Sequence, residues 1–167
     1  KIVWFSGLSG AGKTTLTRSI YQILSKTKQK CLVIDGDIFR KKTNQKSFSY
    51  KNIIKNNLRI INYCKKIQHK YDVIFVSAIS PLKKTRYFAY KSFKKNYFEI
   101  FVFCSLKNLV ERDTKGLYRL AKNGKIKDLI GFNSKIKYEK SIHKHLRINT
   151  GLTKQSDCIK KIMDFII

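Results

Sequence analysis

The chain has 167 residues, 43% of them hydrophobic, which is enough for one domain (residues 1–167) with a sizeable core and too few for two ordinary ones. A net charge of +27, from 37 basic and 10 acidic residues, suggests a polyanionic partner, but only seven of the bases are Arg and the lysines are scattered along the chain. That distribution favours a solvated basic surface whose field helps small phosphorylated substrates. It leaves a nucleic-acid-binding or nucleic-acid-end kinase as a remoter alternative. No apolar run is long enough to span a membrane, and the chain opens on a strand-like run with no signal-peptide pattern, so a cytoplasmic protein is expected. Cys31, Cys64, Cys104 and Cys158 are widely spaced, which fits free thiols in a reducing compartment better than a zinc site.

The first apolar run, Ile2–Phe5, reads as a buried parallel strand. Gly7-Leu8-Ser9-Gly10-Ala11-Gly12-Lys13-Thr14-Thr15 follows it and fits the G-x-x-x-x-G-K-[ST] pattern of a phosphate-binding loop. Leu16, Ile20, Ile23 and Leu24 then give the next segment a helical apolar face. In that strand–loop–helix setting, backbone N–H groups from Gly7 to Thr15 cradle phosphates and the helix N-terminus adds its positive end. Lys13 is expected to reach the β- and γ-phosphates, and the Thr14 hydroxyl to ligate Mg²⁺. The loop therefore predicts ATP or another nucleoside triphosphate as a ligand.

Cys31–Ile34 is the second strand, and Asp35-Gly36-Asp37 closes it, with Arg40 just beyond. Ligands of open α/β sheets bind at the carboxyl ends of strands, which puts Asp35 and Asp37 beside the loop. They can hold Mg²⁺ through water and take a proton from an attacking hydroxyl, or serve as ordinary turn residues. Arg40 is either a clamp for an anionic substrate or one more exposed base. Lys46 to Lys70 is mostly helical, with Ser47 or Ser49 as its cap, and Asn56 and Arg59 are spaced to point into one site. After the third strand, Val73–Ser77, Pro81 suits the first position of a helix with Ser80 as its cap; that reading outranks nucleophilic chemistry at Ser80. His69, His143 and His145 are expected at the surface.

The fourth strand, Glu99–Cys104, leads into Glu111 to Lys122, a basic stretch broken by Gly116. It suits a lid over phosphates, or a solvated helical hairpin. Asp113-Thr114-Lys115-Gly116 has the D-x-x-G form of GTPases, but no guanine-reading [NT]-K-x-D follows. Leu146–Ile148 is the fifth strand. Alternation at this spacing predicts an α/β fold with a parallel sheet covered on both faces.

Together these motifs resemble the adenylylsulfate kinase family over essentially the whole chain. The resemblance is carried by the phosphate loop, Asp35-Gly36-Asp37-x-x-Arg40, Phe48-Ser49, Asn56 with Arg59, Ile79-Ser80-Pro81, Arg86, Arg112-Asp113-x-Lys115-Gly116-Leu117-Tyr118, and Tyr138-Glu139. It implies a P-loop kinase three-layer sandwich with a five-stranded parallel sheet in the order 2-3-1-4-5. It implies transfer of the γ-phosphate of ATP to the ribose 3′-hydroxyl of a nucleotide, with Mg²⁺, by a homodimer. Asp35 and Asp37 then resemble the base and metal-organising pair, and Arg112 belongs with the ATP side. Arg40, Phe48, Asn56, Arg59, Ile79, Ser80, Lys115 and Leu129 belong with the acceptor nucleotide. Ser80 also matches a serine sometimes described in the family as a phosphoserine intermediate, although direct transfer is simpler.

Two departures lie on the acceptor side. Ile53 stands where the family has an arginine that grips the anionic end of the acceptor. Leu129-Ile130-Gly131-Phe132 replaces the family's Phe-Thr-Gly-Ile, whose Phe stacks on the base opposite the match to Phe48; Phe132 is a candidate substitute. Each loss costs about 1–3 kcal/mol of acceptor binding. This places cytidine diphosphoramidate, the acceptor of a family branch in capsular phosphoramidate synthesis, slightly ahead of adenylylsulfate as the expected substrate.

Overall fold

A computed structural model describes residues 1–42 and 49–167. Among these, five strands form one parallel sheet: β1 (Ile2–Ser6), β2 (Cys31–Asp35), β3 (Val73–Ser77), β4 (Tyr97–Phe103) and β5 (Leu146–Asn149), in the order β2-β3-β1-β4-β5. That is the expected order, with strand bounds within two residues of those read from the apolar runs. The runs are continuous because both faces of the sheet are covered, so alternate side chains enter different cores. Val3, Phe5, Val73 and Phe75 point to one face, with Leu16, Ile20 and Ile162 of the helices α1 (Lys13–Leu24) and α7 (Gln155–Ile166). Ile2, Trp4, Ile74 and Val76 point to the other, with Ile60, Ile61 and Ala89 of α3 (Tyr50–Ile67) and α4 (Lys83–Phe93).

The remaining helices lie at the carboxyl end of the sheet. They are α2 (Gly36–Lys42), α5 (Leu106–Arg112) and α6 (Leu117–Lys122). The basic stretch expected as a lid or a hairpin forms two short helices, and Thr114 and Lys115 in their connecting turn line the cavity at the phosphate loop. Ser49 caps α3 by accepting from the Asn52 amide at 3.3 Å; the alternative cap, Ser47, lies outside the described residues.

Three local expectations are corrected. Pro81 does not open a helix and Ser80 caps none: α4 begins at Lys83, whose amide donates to Glu139 Oε2 at 2.7 Å. His143 is not a surface residue, since its side chain is 4% exposed, stacks on Tyr90 at 4.8 Å and lies 3.0 Å from Glu99. In both places a partner distant in sequence overrides the local pattern. All four cysteines are free; Cys64 and Cys158 are buried, while Cys31 and Cys104 are half-buried.

Candidate active site

The phosphate loop is held at both ends. At Gly7, φ is +139° and an added Cβ would lie 2.0 Å from the Val102 carbonyl oxygen, so β1 and β4 converge at a spacing only glycine allows. The Gly7 amide donates to the carbonyl of Ile79 at 3.1 Å, which ties the loop to the segment after β3. Beyond Gly10 and Ala11, Gly12 at φ +93° turns the chain into α1. The hydroxyl of Tyr118 donates to the Ser9 carbonyl at 2.9 Å and fixes α6 against the loop.

Lys13 is buried, and its ammonium donates to the Leu8 carbonyl at 2.7 Å. Burial lowers its pKa to about 8, helped by the charge of Lys115 and opposed by Asp37 and Asp35. Asp37 Oδ2 accepts from Lys115 at 2.6 Å, and Arg40 lies 3.5 Å from Oδ1. Burial pushes the Asp37 carboxyl up, but the hydrogen bond and charge of Lys115, with Arg40 and Lys13, outweigh it and hold it below the usual range. Asp35 Oδ1 accepts from the amides of Asp37 and Ile38, and its Oδ2 accepts from Thr14 at 3.4 Å. Ser77 Oγ is 3.5 Å from the Thr14 hydroxyl and completes this polar corner.

Two adjoining cavities are lined by these groups, and a third lies on the other side of the loop. The phosphate cavity is lined by Ser9, Gly10, Gly12–Thr15, Asp35, Asp37, Thr114 and Lys115. An acceptor-side cavity is lined by Asp37, Arg40, Asn52, Ile53, Asn56, Asn57, Ile79, Ser80 and Ile130. Asp37, Ala78 and Ile79 belong to both. A third cavity lies behind the loop, between Thr15, Arg112, Thr150, Thr153 and Cys158, and suits the base of a bound nucleoside triphosphate. Arg112 is fixed there by donating to the Thr150 carbonyl at 2.7 Å and its hydroxyl at 3.2 Å.

The predicted residues Lys13, Thr14, Asp35, Asp37 and Lys115 thus converge on one cavity, and Arg40, Asn56, Ile79 and Ser80 on its neighbour. Arg59 is half-buried on α3 and is not among the residues lining the acceptor cavity. Leu129 is buried in the core cluster shared by α1, α5, α6 and α7; its neighbour Ile130 lines the acceptor cavity with Ile53 and packs in a separate cluster with Ile53 and Leu82. The turn after Leu129 explains this, because Asn133 Oδ1 accepts from the Leu129 amide and Gly131 lies against Leu8 at φ +82°. Phe132 packs edge-on against Tyr118 at 5.7 Å. Phe48 lies outside the described residues. Asn57, Ser77 and Thr150 are additional lining residues that no local motif signals, and Ile130 lines the cavity where its motif neighbour Leu129 is expected. Their positions come from the pairing of distant segments.

A phosphate loop facing a second cavity across a shared carboxylate defines a P-loop kinase. Residues 1–149 match the family model for adenylylsulphate kinase. Adenylyl-sulfate kinases of Clostridium kluyveri and Prochlorococcus marinus are 32% identical over 166 residues and 35% over 168; each match covers 99% of this chain, and 82% and 83% of those proteins. Among solved structures, the Mycobacterium tuberculosis APS kinase CysC in complex with AMPPNP and APS has a TM-score of 0.90 at 29% identity, over 99% of this chain and 96% of that one. The chain belongs to the adenylylsulfate kinase family and is an ATP-dependent phosphotransferase with a hydroxyl acceptor.

Proposed function

We propose that the chain transfers the γ-phosphate of ATP to the ribose 3′-hydroxyl of adenylylsulfate, with Mg²⁺. The observation that carries this reading is Asp37, which stands in the wall common to the two cavities and is paired with Lys115 at 2.6 Å. The relatives put adenylylsulfate ahead of cytidine diphosphoramidate, reversing the order suggested by the two acceptor-side departures. One observation keeps cytidine diphosphoramidate as a second reading: Ile53 and Ile130 make part of the acceptor cavity apolar where an anion clamp is expected.

In this mechanism the loop amides and Lys13 bind the phosphates, and Arg112 borders the donor base. The acceptor lies along α3 with its hydroxyl at Asp37, whose ionised carboxylate orients it and takes its proton as the new P–O bond forms and the bond from the γ-phosphorus to the bridging oxygen breaks, releasing ADP. A loose phosphoryl-transfer transition state needs charge neutralisation and alignment more than a strong base, so a carboxylate of low basicity is adequate. The Thr14 hydroxyl and Asp35 carboxylate fit Mg²⁺, a cation that takes few protein oxygens and completes its shell with phosphate and water. Among the described residues no cluster of three or more His, Cys, Asp or Glu offers an all-protein cage. When bound, Mg²⁺ would offset the charge developing on the phosphates. A homodimer, as the resemblance implies, is part of the same reading, and sedimentation at twice the monomer mass tests it.

The deciding experiment compares kcat/KM for adenylylsulfate, cytidine diphosphoramidate and plain nucleoside mono- and diphosphates under Mg-ATP. Adenylylsulfate is expected to lead. A clear lead for cytidine diphosphoramidate establishes the second reading, and wild-type rates in all of Lys13→Ala, Asp35→Ala and Asp37→Ala would remove the mechanism.

A further inference from the structure

Ser80 is held on several sides in the wall of the acceptor cavity, yet its hydroxyl has no part in the transfer described above. It is 3% exposed and has φ +43°, a conformation a serine holds only when its surroundings impose it. Its hydroxyl accepts from Trp4 Nε1 at 3.0 Å and donates to Asn57 Oδ1 at 2.6 Å. The amide orientation of Asn57 is fixed independently, because its Nδ2 donates to the Ile53 carbonyl at 3.0 Å. Arg86 donates to the Ser80 carbonyl at 2.5 Å.

We infer that Trp4, Ser80 and Asn57 form a buried positioning lock that sets the acceptor helix α3 against the phosphate-loop strand β1. Trp4 lies in β1, two residues before Ser6 and the loop. Asn57 lies in α3 on the turn after Ile53, beside Asn56, and all three line the acceptor cavity. Ser80 joins them in a single donor-to-acceptor chain, and the Ile79 carbonyl beside it receives the Gly7 amide. The lock therefore fixes the distance between the two substrates. It also keeps Ser80 from acting as a nucleophile: its proton is given to a neutral carboxamide, which is no base, so the hydroxyl stays a hydroxyl. Ser80 is a positioning residue in this arrangement, and Asn57 the residue that holds it.

The test uses the intact chain and a double-mutant cycle of Ser80→Ala and Asn57→Leu, read in two ways. Trp4 is the chain's one tryptophan, so its emission reports the indole hydrogen bond without substrate. Both single variants are expected to shift that emission. The kinetic readout rests on the proposed acceptor reaction: each variant should lower kcat/KM for adenylylsulfate about tenfold while leaving the KM for ATP within about twofold. The double variant should be no worse than the weaker single one, since both break the same chain. Wild-type emission in both variants, or losses that multiply in the double variant, would overturn the lock. So would complete loss of turnover in Ser80→Ala with ATP binding intact, the result a phosphoserine intermediate requires. Ser80→Ala removes one oxygen and carries the test if Asn57→Leu does not fold; inactivity of every form toward adenylylsulfate refutes the acceptor reading, and the emission arm still decides on the lock.

Discussion

Lys13 holds its charge in a buried place, and the consequence is a pH limit on donor binding. Its pKa of about 8 means that the free enzyme loses the ammonium as pH rises through 8, well below an ordinary lysine. The value of kcat/KM for ATP should therefore fall above about pH 8 and level off below it; a flat profile to pH 10 would show Lys13 charged throughout. Asp37 sits at the other end of the scale. Its carboxyl is held below the usual range, so activity should persist to acid pH until that group protonates, and Asp37→Asn should cost about 10²-fold or more in kcat. The acceptor preference also rests on single side chains. Ile53→Arg places a cation in the cavity and should raise the preference for adenylylsulfate over less anionic acceptors, measured as a ratio of kcat/KM values. Leu129→Phe should leave that ratio unchanged and instead overpack the core by about 1–3 kcal/mol, because Leu129 is buried in the main core cluster while Ile130 lines the cavity.

At the scale of elements, the five strands and the loop between β1 and α1 were legible because their signals are local: apolar runs of fixed length, then glycines and a lysine at fixed spacing. Asp35 and Asp37 were legible because a strand end in a parallel sheet is a known place. What escaped was set by contacts between distant segments. The Ser80-Pro81 pair has the local look of a helix start, but Glu139 arrives from more than fifty residues away, accepts from the Lys83 amide and donates its own amide to the Pro81 carbonyl. The same segment brings Ser141 and His143 onto Glu99, which pairs with Arg86 at 3.0 Å in full burial. Burial pushes the Glu99 carboxyl up, and His143, Arg86 and Ser141 more than reverse this, so its folded pKa lies below its value in the unfolded chain. Its contribution to stability is thus complete above about pH 4.5 and is lost as pH falls through the depressed value. Glu99→Gln should destabilise by about 3–5 kcal/mol in denaturant titrations at neutral pH, since it strands the Arg86 charge in the core. A change under 1 kcal/mol would mean that water reaches the pair.

Across the whole molecule, the ten acids carry much of the local structure. Asp35 receives the first amides of α2, Asp72 the Lys30 amide, Asp113 the amides of Tyr118 and Arg119, and Glu139 the first amide of α4. Asp37 and Glu99 are engaged with cations at the site and in the core. Few carboxylates are left to offset the surface lysines, so the excess of +27 must act largely as self-repulsion. Salt screens that repulsion over a Debye length of about 8–10 Å near physiological ionic strength. Thermal unfolding followed by circular dichroism should therefore show the midpoint rising by several degrees, about 1 kcal/mol in stability, between 20 mM and 300 mM NaCl. The opposite trend is expected of folds held by exposed ion pairs. An unchanged or falling midpoint would show that repulsion among the surface lysines does not limit the stability of the fold. Because the same field attracts nucleoside phosphates into the cleft, the KM for ATP should rise over that salt range while the protein becomes more stable. Measuring both on one sample separates the field acting on substrate from the field acting on the fold.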